Sequence, residues 1–301
     1  MRIAVSGSNG LIGTALLGRL RGDGHDVVRL VRGERSAAGP GDVSWDPHAG
    51  RLDPRDLAGV DAVVNLAGAG IGDHRWTDEY KRTVMQSRTR STNLLSEVIA
   101  TADDGPRTLL SASAIGFYGD RGDEELDESS GAGQGFLAEV AQAWEASTAA
   151  AEAAGGRVVH LRTGIVLAAH GGALRRMLPL FKLGVGGRFG SGRQWTSWIT
   201  LADHVAATVH LLTSDLAGAV NLTAPAPVRN ADFARALGAA LHRPAVVPVP
   251  AFGPKLVLGP ERAEGLLFDS QRVVRSRLSD DGFVFADPAL PAALRQLLGR
   301  R

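Results

Sequence analysis

The feature that most constrains this chain is how it begins. A short, mostly apolar run, Arg2-Ile3-Ala4-Val5-Ser6, breaks into Gly7-Ser8-Asn9-Gly10-Leu11-Ile12-Gly13, and apolar residues then recur at helical spacing as far as Leu20. The run has the pattern of a buried strand, and the segment after the glycines that of a helix closed by Gly22 and Gly24. A strand that turns through glycines straight into a helix brings backbone N–H groups and the positive helix end to one point. Such a point stabilises phosphate charge, and glycines let a pyrophosphate approach the backbone closely. A Gly-rich turn alone is a weak signal; strand, turn and helix in this order make it specific. Dinucleotide binding is therefore expected at Gly7, Ser8, Asn9, Gly10, Leu11, Ile12 and Gly13.

The alternation continues. Strand patterns fall at residues 26–31, 43–45, 61–66, 108–113 and 157–161, and long helical patterns at 80–100 and 136–154. Strands alternating with helices of this length imply right-handed parallel βαβ units, hence an α/β fold with a doubly wound parallel sheet. Beyond Leu167 the texture changes. Residues 184–192 suggest a Gly-rich loop with short strands, 203–214 a helix, and 220–222 a strand. A helix over 232–241, capped by Asn230 or Asp232, precedes a stretch at 244–254 too proline-rich for a central strand or a helix. Two helices should follow, and residues 288–298 form a final helix opened by proline. The expected organisation is a dinucleotide-binding domain over 1–225 and a smaller carboxyl-terminal substrate or lid lobe over 226–301. Residues 168–200 should contribute to a substrate cleft at the carboxyl ends of the strands.

Composition excludes several classes. With 301 residues and 44% apolar content the chain can bury a full core. Charge nearly balances, 33 basic against 32 acidic residues, so there is no basic block of the kind that binds nucleic acid or anionic membranes. The absence of cysteine removes disulfides, thiolate metal sites and thiol nucleophiles, and the 8 histidines form no H-E-x-x-H or tight cluster, so no metal is expected. No apolar run reaches about 18 residues, and the amino end turns polar too early for a signal-peptide core. A soluble cytoplasmic protein, monomer or homodimer, acting on a small molecule is the expectation.

The glycine spacing is G-x-x-G-x-x-G, which resembles the extended short-chain dehydrogenase/reductase superfamily, a group that includes nucleotide-sugar epimerases. Asn65-Leu66-Ala67-Gly68 is similar to its N-x-A-G run, residues 111–119 (S-A-S-A-I-G-F-Y-G) to its serine region, and Asn221-Leu222-Thr223-Ala224-Pro225 to its late N-x-x-x-P segment. A closer resemblance is to an atypical branch, epimerase-family proteins of unknown substrate that end in a short uncharacterised domain. It rests on residues 65–71, Arg75-Trp76-Thr77, 136–140, Trp144-Glu145, 192–195, 197–199 and Leu241-His242-Arg243-Pro244, and covers essentially the whole chain. Gly259-Pro260-Glu261 departs from the usual Gly-Glu of that branch. The resemblance implies an extended Rossmann-type fold and an oxidoreductase or epimerase-like enzyme acting on a small carbonyl, alcohol or nucleotide-sugar-like substrate. It also implies that Leu66, Ala67 and Gly68 contact the cofactor.

NAD sites usually place an acid about 20 residues past the glycines. Here the second strand ends in Arg32, which suits the 2′-phosphate of NADP through charge-assisted hydrogen bonds; a solvated strand-end charge is the plainer reading. Glu34, past Gly33, is the competing acid. Asp46 is a candidate for the adenine amino group or, equally, a turn residue before Pro47.

The superfamily's acid chemistry uses a tyrosine with a lysine four residues on. Four residues after Tyr80 stands Val84, four after Tyr118 stands Gly122, and no lysine lies between Lys81 and Lys182. Alignment on Glu145 puts Leu137 and Ala141 at the two positions. The dyad is absent. Ser113 and Tyr118 become the candidate catalytic residues, against the plainer readings of a strand-end serine and an aromatic packed under its loop. Glu139 faces either a pocket or solvent. Trp76, Arg193 and Trp195 are candidate substrate contacts, arginine for an anion and tryptophan for stacking, with core packing as the alternative for the tryptophans. The missing dyad also keeps a rival open: a non-catalytic NADP(H)-sensing binding protein.

Overall fold

Strand and helix alternate through the computed structural model, which describes residues 1–33, 39, 41–274 and 277–299. Glu34 lies outside the described residues. The first stretch runs β1 (Arg2–Ser6), α1 (Leu11–Gly22), β2 (Asp26–Arg32), β3 (Asp42–Trp45), β4 (Ala62–Asn65), α2 (Asp78–Thr101) and β5 (Thr108–Ala114). Then come β6 (Glu125–Leu126), α3 (Phe136–Ala146), α4 (Ala149–Ala153), β7 (Arg157–Thr163), β8 (Ile165–Ala168) and α5 (Gly172–Lys182). They are followed by β9 (Trp195–Thr196), β10 (Trp198–Thr200), α6 (Leu201–Thr213), β11 (Gly218–Leu222), β12 (Val228–Arg229) and α7 (Asn230–Ala240). The chain closes with α8 (Phe252–Leu258), α9 (Pro260–Ala263), β13 (Arg272–Val273), α10 (Arg277–Asp280) and α11 (Leu290–Leu298).

Seven strands form one parallel sheet in the order β11-β7-β5-β4-β1-β2-β3. The chain winds outward from β1 through β2 and β3, then returns and winds the other way from β4. The reversal falls between β1 and β4, which pair from Ile3 beside Ala62 to Ser6 beside Asn65. Ile3, Ala4 and Val5 and all of β4 are buried, as strands covered on both faces must be, which is why they carry apolar runs instead of alternation. The fold is the doubly wound α/β sheet expected.

The backbone divides into two compact units. The first comprises Met1–Ser113, Val140–Leu161 and Val205–Val220; the second comprises Ala114–Glu139, Arg162–His204 and Asn221–Arg301. In the first, Val28, Leu30 and Trp45 share a core with Leu95 and Ile99 of α2. In the second, Trp198, Phe181, Phe233, Leu237 and Leu294 do the same.

Three local expectations change. The helix over 136–154 is broken at Ser147 and Thr148. Their hydroxyls donate to the carbonyls of Ala143 and Glu145, both at 2.7 Å, and so compete with the helical ladder. The helix over 232–241 begins at Asn230 with no side-chain cap, because Asn230 Oδ1 accepts the Phe189 N–H at 2.7 Å instead. The proline-rich stretch gives way to α8 at Phe252, with Pro254 in a first turn that has no use for its N–H.

Candidate functional site

The turn from β1 to α1 is shaped by what glycine omits. Gly7 has φ +64°, and a Cβ there would lie 2.5 Å from the Leu66 carbonyl oxygen. A Cβ on Gly13 would strike the Gly7 carbonyl, so helix and strand touch backbone to backbone. Gly10 N–H closes the turn on Gly7 O at 3.0 Å. The first turn of α1 has no acidic residue and no side-chain cap. Its N–H groups have no partner inside the helix and meet no fixed negative charge, the arrangement an anion needs. Ser8 is buried, Asn9 and Gly10 are exposed, and Leu11 and Ile12 are half-buried at the mouth.

The facing loop after β4 is held by a buried polar network. Ser6 Oγ donates to Asn65 Oδ1 at 2.6 Å and accepts the N–H groups of Leu66 and Ala67 at 3.1 and 3.2 Å. Asn65 Nδ2 and Trp144 Nε1 both donate to Thr92 Oγ1, at 2.8 and 2.9 Å. Leu66, Ala67 and Gly68 are thereby fixed against the cradle at Gly7. Further along this loop Trp76 Nε1 donates to the Ile71 carbonyl at 2.9 Å, which ties the indole to the loop itself.

At the far end of β2, Arg32 is exposed beside Trp45 of β3, and among the described residues nothing pairs with its guanidinium. An open hollow next to it is lined by Gly33, Ser44, Asp46, Asp53 and Asp56. Asp46 accepts the N–H groups of Ala49 and His48, at 3.1 and 3.0 Å, and Arg51 Nη2 at 2.7 Å. These bonds, the one from Ala49 foremost, hold its carboxyl below the usual range. Its geometry is that of the turn residue, one of the two alternatives the sequence left open.

Ser113 and Tyr118 belong to different networks. Ser113 is almost wholly buried, and its hydroxyl donates to Glu145 Oε1 at 2.7 Å. Glu145 Oε2 lies 3.8 Å from His160 Nδ1. Tyr118, the other candidate catalytic residue, is fully buried at 0% exposure. It packs with Ile115, Leu126 and Val273. Its hydroxyl donates to Asn221 Oδ1 at 2.8 Å and accepts Arg162 Nη1 at 3.2 Å. Burial pushes the phenol up in pKa, against the pull of Arg162 and Asn221. This proton is engaged within the corner, as that of Ser113 is engaged by Glu145. On α3, Leu137 and Ala141 leave apolar groups at the dyad positions, and Glu139 is exposed to solvent.

In the second unit Trp195 is partnered on its own ring. The guanidinium groups of Arg229 and Arg272 sit 4.1 and 4.6 Å from its centroid, and Nε1 donates to Asp123 Oδ1 at 3.1 Å. Arg193 is exposed beside it. Trp198 is core, with 0% exposure. Sequence reasoning missed Arg229 and Arg272, which lie 34 and 77 residues beyond Trp195 by residue number and carry no local motif. It used Glu145 only as an alignment anchor; the available signal was its place eight residues after Leu137 and four after Ala141, on one helix face.

Among the described residues no helix is long and apolar enough to cross a membrane, and no group of three or more metal-ligating side chains gathers.

Comparison with known proteins now adds to this geometry. The NAD dependent epimerase/dehydratase family matches residues 3–222, and a domain of unknown function (DUF1731) matches 249–297. The epimerase family protein Mb2239 of Mycobacterium bovis is 45% identical over 293 residues, 97% of this chain and 96% of that one. The crystal structure of human epimerase family protein SDR39U1 (isoform 2) with NADPH aligns at a TM-score of 0.88 and 33% identity over 99% of each chain. The nucleoside-diphosphate sugar epimerase from Corynebacterium glutamicum aligns at 0.80 and 37% identity, covering 99% of this chain and 58% of that one.

Proposed function

The chain belongs to the NAD dependent epimerase/dehydratase family, and on that premise we propose that it is an NADP(H)-dependent oxidoreductase or epimerase-like enzyme whose substrate is a small carbonyl, alcohol or nucleotide-sugar-like molecule. The observation that carries this reading is the cradle. Gly7 and Gly13 occupy positions where any Cβ would collide with backbone, and the bare α1 terminus behind them suits a pyrophosphate. The NADPH bound to the human relative supports the choice of dinucleotide.

When bound, the nicotinamide supplies hydride exchange with a substrate carbon. The chain's part is to hold and orient. The N–H groups of residues 11–13 take the pyrophosphate, and Leu66, Ala67 and Gly68 form the facing wall. Arg32, with no partner among the described residues, takes the 2′-phosphate. Proton handling falls to the Ser113 hydroxyl, whose hydrogen Glu145 already holds at 2.7 Å. Arg193 and Trp195 contribute the anion- and ring-binding groups for the substrate.

The test is titration of the full chain with NADPH and NADH by tryptophan fluorescence, followed by a screen of aldehydes, ketones and nucleotide sugars for substrate-dependent loss of NADPH absorbance. NADPH should bind at least roughly tenfold more tightly than NADH, one charge-assisted contact apart. Equal affinities would remove the NADP assignment, and no binding would remove the cofactor reading. Tight binding with no turnover anywhere in the screen would favour the NADP(H)-sensing alternative, whose support is the apolar pair Leu137 and Ala141 in place of the dyad.

A further inference from the structure

Interconversion of an alcohol and a carbonyl moves a proton at the oxygen along with each hydride at the carbon. The hydroxyl given that task above, Ser113, is 4% exposed, and a proton has to pass between it and solvent once per turnover. The first unit holds a series of side chains that leads outward from it. Ser113 Oγ donates to Glu145 Oε1 at 2.7 Å. The other oxygen of that carboxylate, Oε2, lies 3.8 Å from His160 Nδ1. On the far edge of the ring, Nε2 lies 2.9 Å from Thr148 Oγ1 and 3.5 Å from Glu152 Oε1. Side-chain exposure rises along the series, from 11% at Glu145 and 12% at His160 to 48% at Glu152. His160, on β7, has no part in the reading above.

Hydrogen counting fixes the state of the ring. Thr148 Oγ1 has a single hydrogen and three neighbours: the Glu145 carbonyl at 2.7 Å, Glu152 Oε1 at 2.9 Å and His160 Nε2 at 2.9 Å. The first two are oxygens that accept, a carbonyl and a carboxylate. The hydrogen of Thr148 therefore points at one of them, and Nε2 carries the hydrogen it shares with Thr148. Nδ1 faces a carboxylate oxygen, which favours a hydrogen there as well. His160 is thus set up as an imidazolium between two carboxylates, Glu145 from α3 and Glu152 from α4. Holding the junction of those helices does not require it. Ser96 Oγ already donates to Thr148 O at 2.9 Å and accepts the Ala151 N–H at 2.8 Å.

We propose that His160 is a positioning and proton-exchange residue for Ser113, linking that hydroxyl through Glu145 to the surface at Glu152. In the oxidising direction a substrate hydroxyl gives its proton to Ser113 Oγ while the hydrogen of Ser113 passes to Glu145. His160 releases its Nε2 hydrogen to Glu152, and from there to water, and takes the proton of the Glu145 carboxyl at Nδ1. The carboxyl turns to present that hydrogen, across a 3.8 Å contact that shortens or takes in one water. Carboxylate and imidazolium are restored, one proton has left the substrate oxygen and one has reached solvent. The reducing direction runs the same steps backwards. The proposal rests on the oxidoreductase reading above and adds the route its proton takes.

The full chain, isotope-labelled in its histidine rings, is followed by NMR from about pH 5 to 9, and the His160 signal is identified by its loss in His160→Gln. Glutamine can offer Thr148 an amide N–H in place of Nε2–H, so that variant removes the titrating group and keeps the bond. Glu145→Gln should lower the His160 midpoint by about one pH unit or more, and Glu152→Gln by less, since water screens the more exposed carboxylate. An aldehyde or ketone found in the screen above then tests the route. His160→Gln should lower kcat roughly tenfold or more with NADPH affinity unchanged, and added imidazole should restore part of the loss, which a purely structural role would not allow. A His160 midpoint that stays put in Glu145→Gln overturns the proposal, as does a kcat of His160→Gln within about twofold of wild type. If His160→Gln fails to fold, His160→Asn carries the same comparison. The titration needs no substrate: NADPH binding without any turnover removes the enzyme reading, and the midpoint alone then decides whether His160 and Glu145 are linked.

Discussion

The β1–α1 turn and the Tyr118 corner each follow the end of a sheet strand, yet they are built on opposite principles. The turn is made by removing side chains: Gly7 and Gly13 let backbone meet backbone, and the N–H groups at the start of α1 are left for something else to satisfy. The Tyr118 corner is made by adding them. The hydroxyl, Asn221, Arg162 and the Phe117 ring, whose centroid lies 3.5 Å from Arg162 Cζ, engage one another. A site waiting for a ligand keeps hydrogen-bonding capacity open, whereas a structural corner closes it. On that criterion the proposed ligand-binding role falls to the glycines, and Tyr118 is proposed as a packing residue.

The largest expected effect comes from filling the turn. Gly13→Val puts a branched side chain where even a Cβ would strike the Gly7 carbonyl. Overpacking of this kind costs about 1–3 kcal/mol of stability. It also pushes α1 away from β1, so NADPH affinity should fall by more than roughly a hundredfold, well past the loss of one contact. Titration beside a urea unfolding curve checks both. A variant that folds and keeps its affinity would show that the open N–H groups are not where the dinucleotide sits.

A smaller and more selective effect should come from Arg32, the described side chain to which the 2′-phosphate is proposed to bind. Arg32→Ala should weaken NADPH binding by about 1.5–3 kcal/mol and leave NADH unchanged, since only the former has a 2′-phosphate to lose. Equal losses for both would turn Arg32 into an ordinary strand-end charge, and the NADP preference would need another source.

How far the sequence could lead follows the same division. The doubly wound parallel sheet was legible because a strand buried on both faces must be continuously apolar, and a helix on it must repeat at 3.6 residues. The cradle was legible because glycine spacing reports backbone contact directly. Asn65 was visible as part of a motif, but not as the residue that joins Ser6 to Thr92, because those partners are 59 and 27 residues away. The break at Ser147 and Thr148 was hidden because serine and threonine are tolerated in helices until their hydroxyls find a carbonyl. Side-chain chemistry that depends on long-range partners leaves little trace in spacing.

The smallest expected effect on function is also the sharpest test of the comparison. Tyr118→Phe keeps the ring that packs against Ile115, Leu126 and Val273 and deletes only the hydroxyl. Asn221 Oδ1 loses a donor and Arg162 an acceptor, both in a dry setting, so the fold should lose about 1–2 kcal/mol, visible as a lower urea midpoint. NADPH affinity should not change. Once a substrate is found, kcat should stay within about twofold, whereas removal of a true general acid would cost roughly a hundredfold or more. The raised pKa points the same way: a phenol that burial keeps protonated, with its hydrogen held by Asn221, must break that bond before it can serve a substrate oxygen. A tenfold fall in kcat with unchanged stability would mean that the corner opens during the reaction, and the distinction between open and closed hydrogen-bonding sites would fail at the residue where it is most clearly drawn. Ser113→Ala supplies the counterpart, because its hydroxyl is bonded to a carboxylate able to take the proton, and its loss should lower kcat while leaving the Tyr118 corner intact.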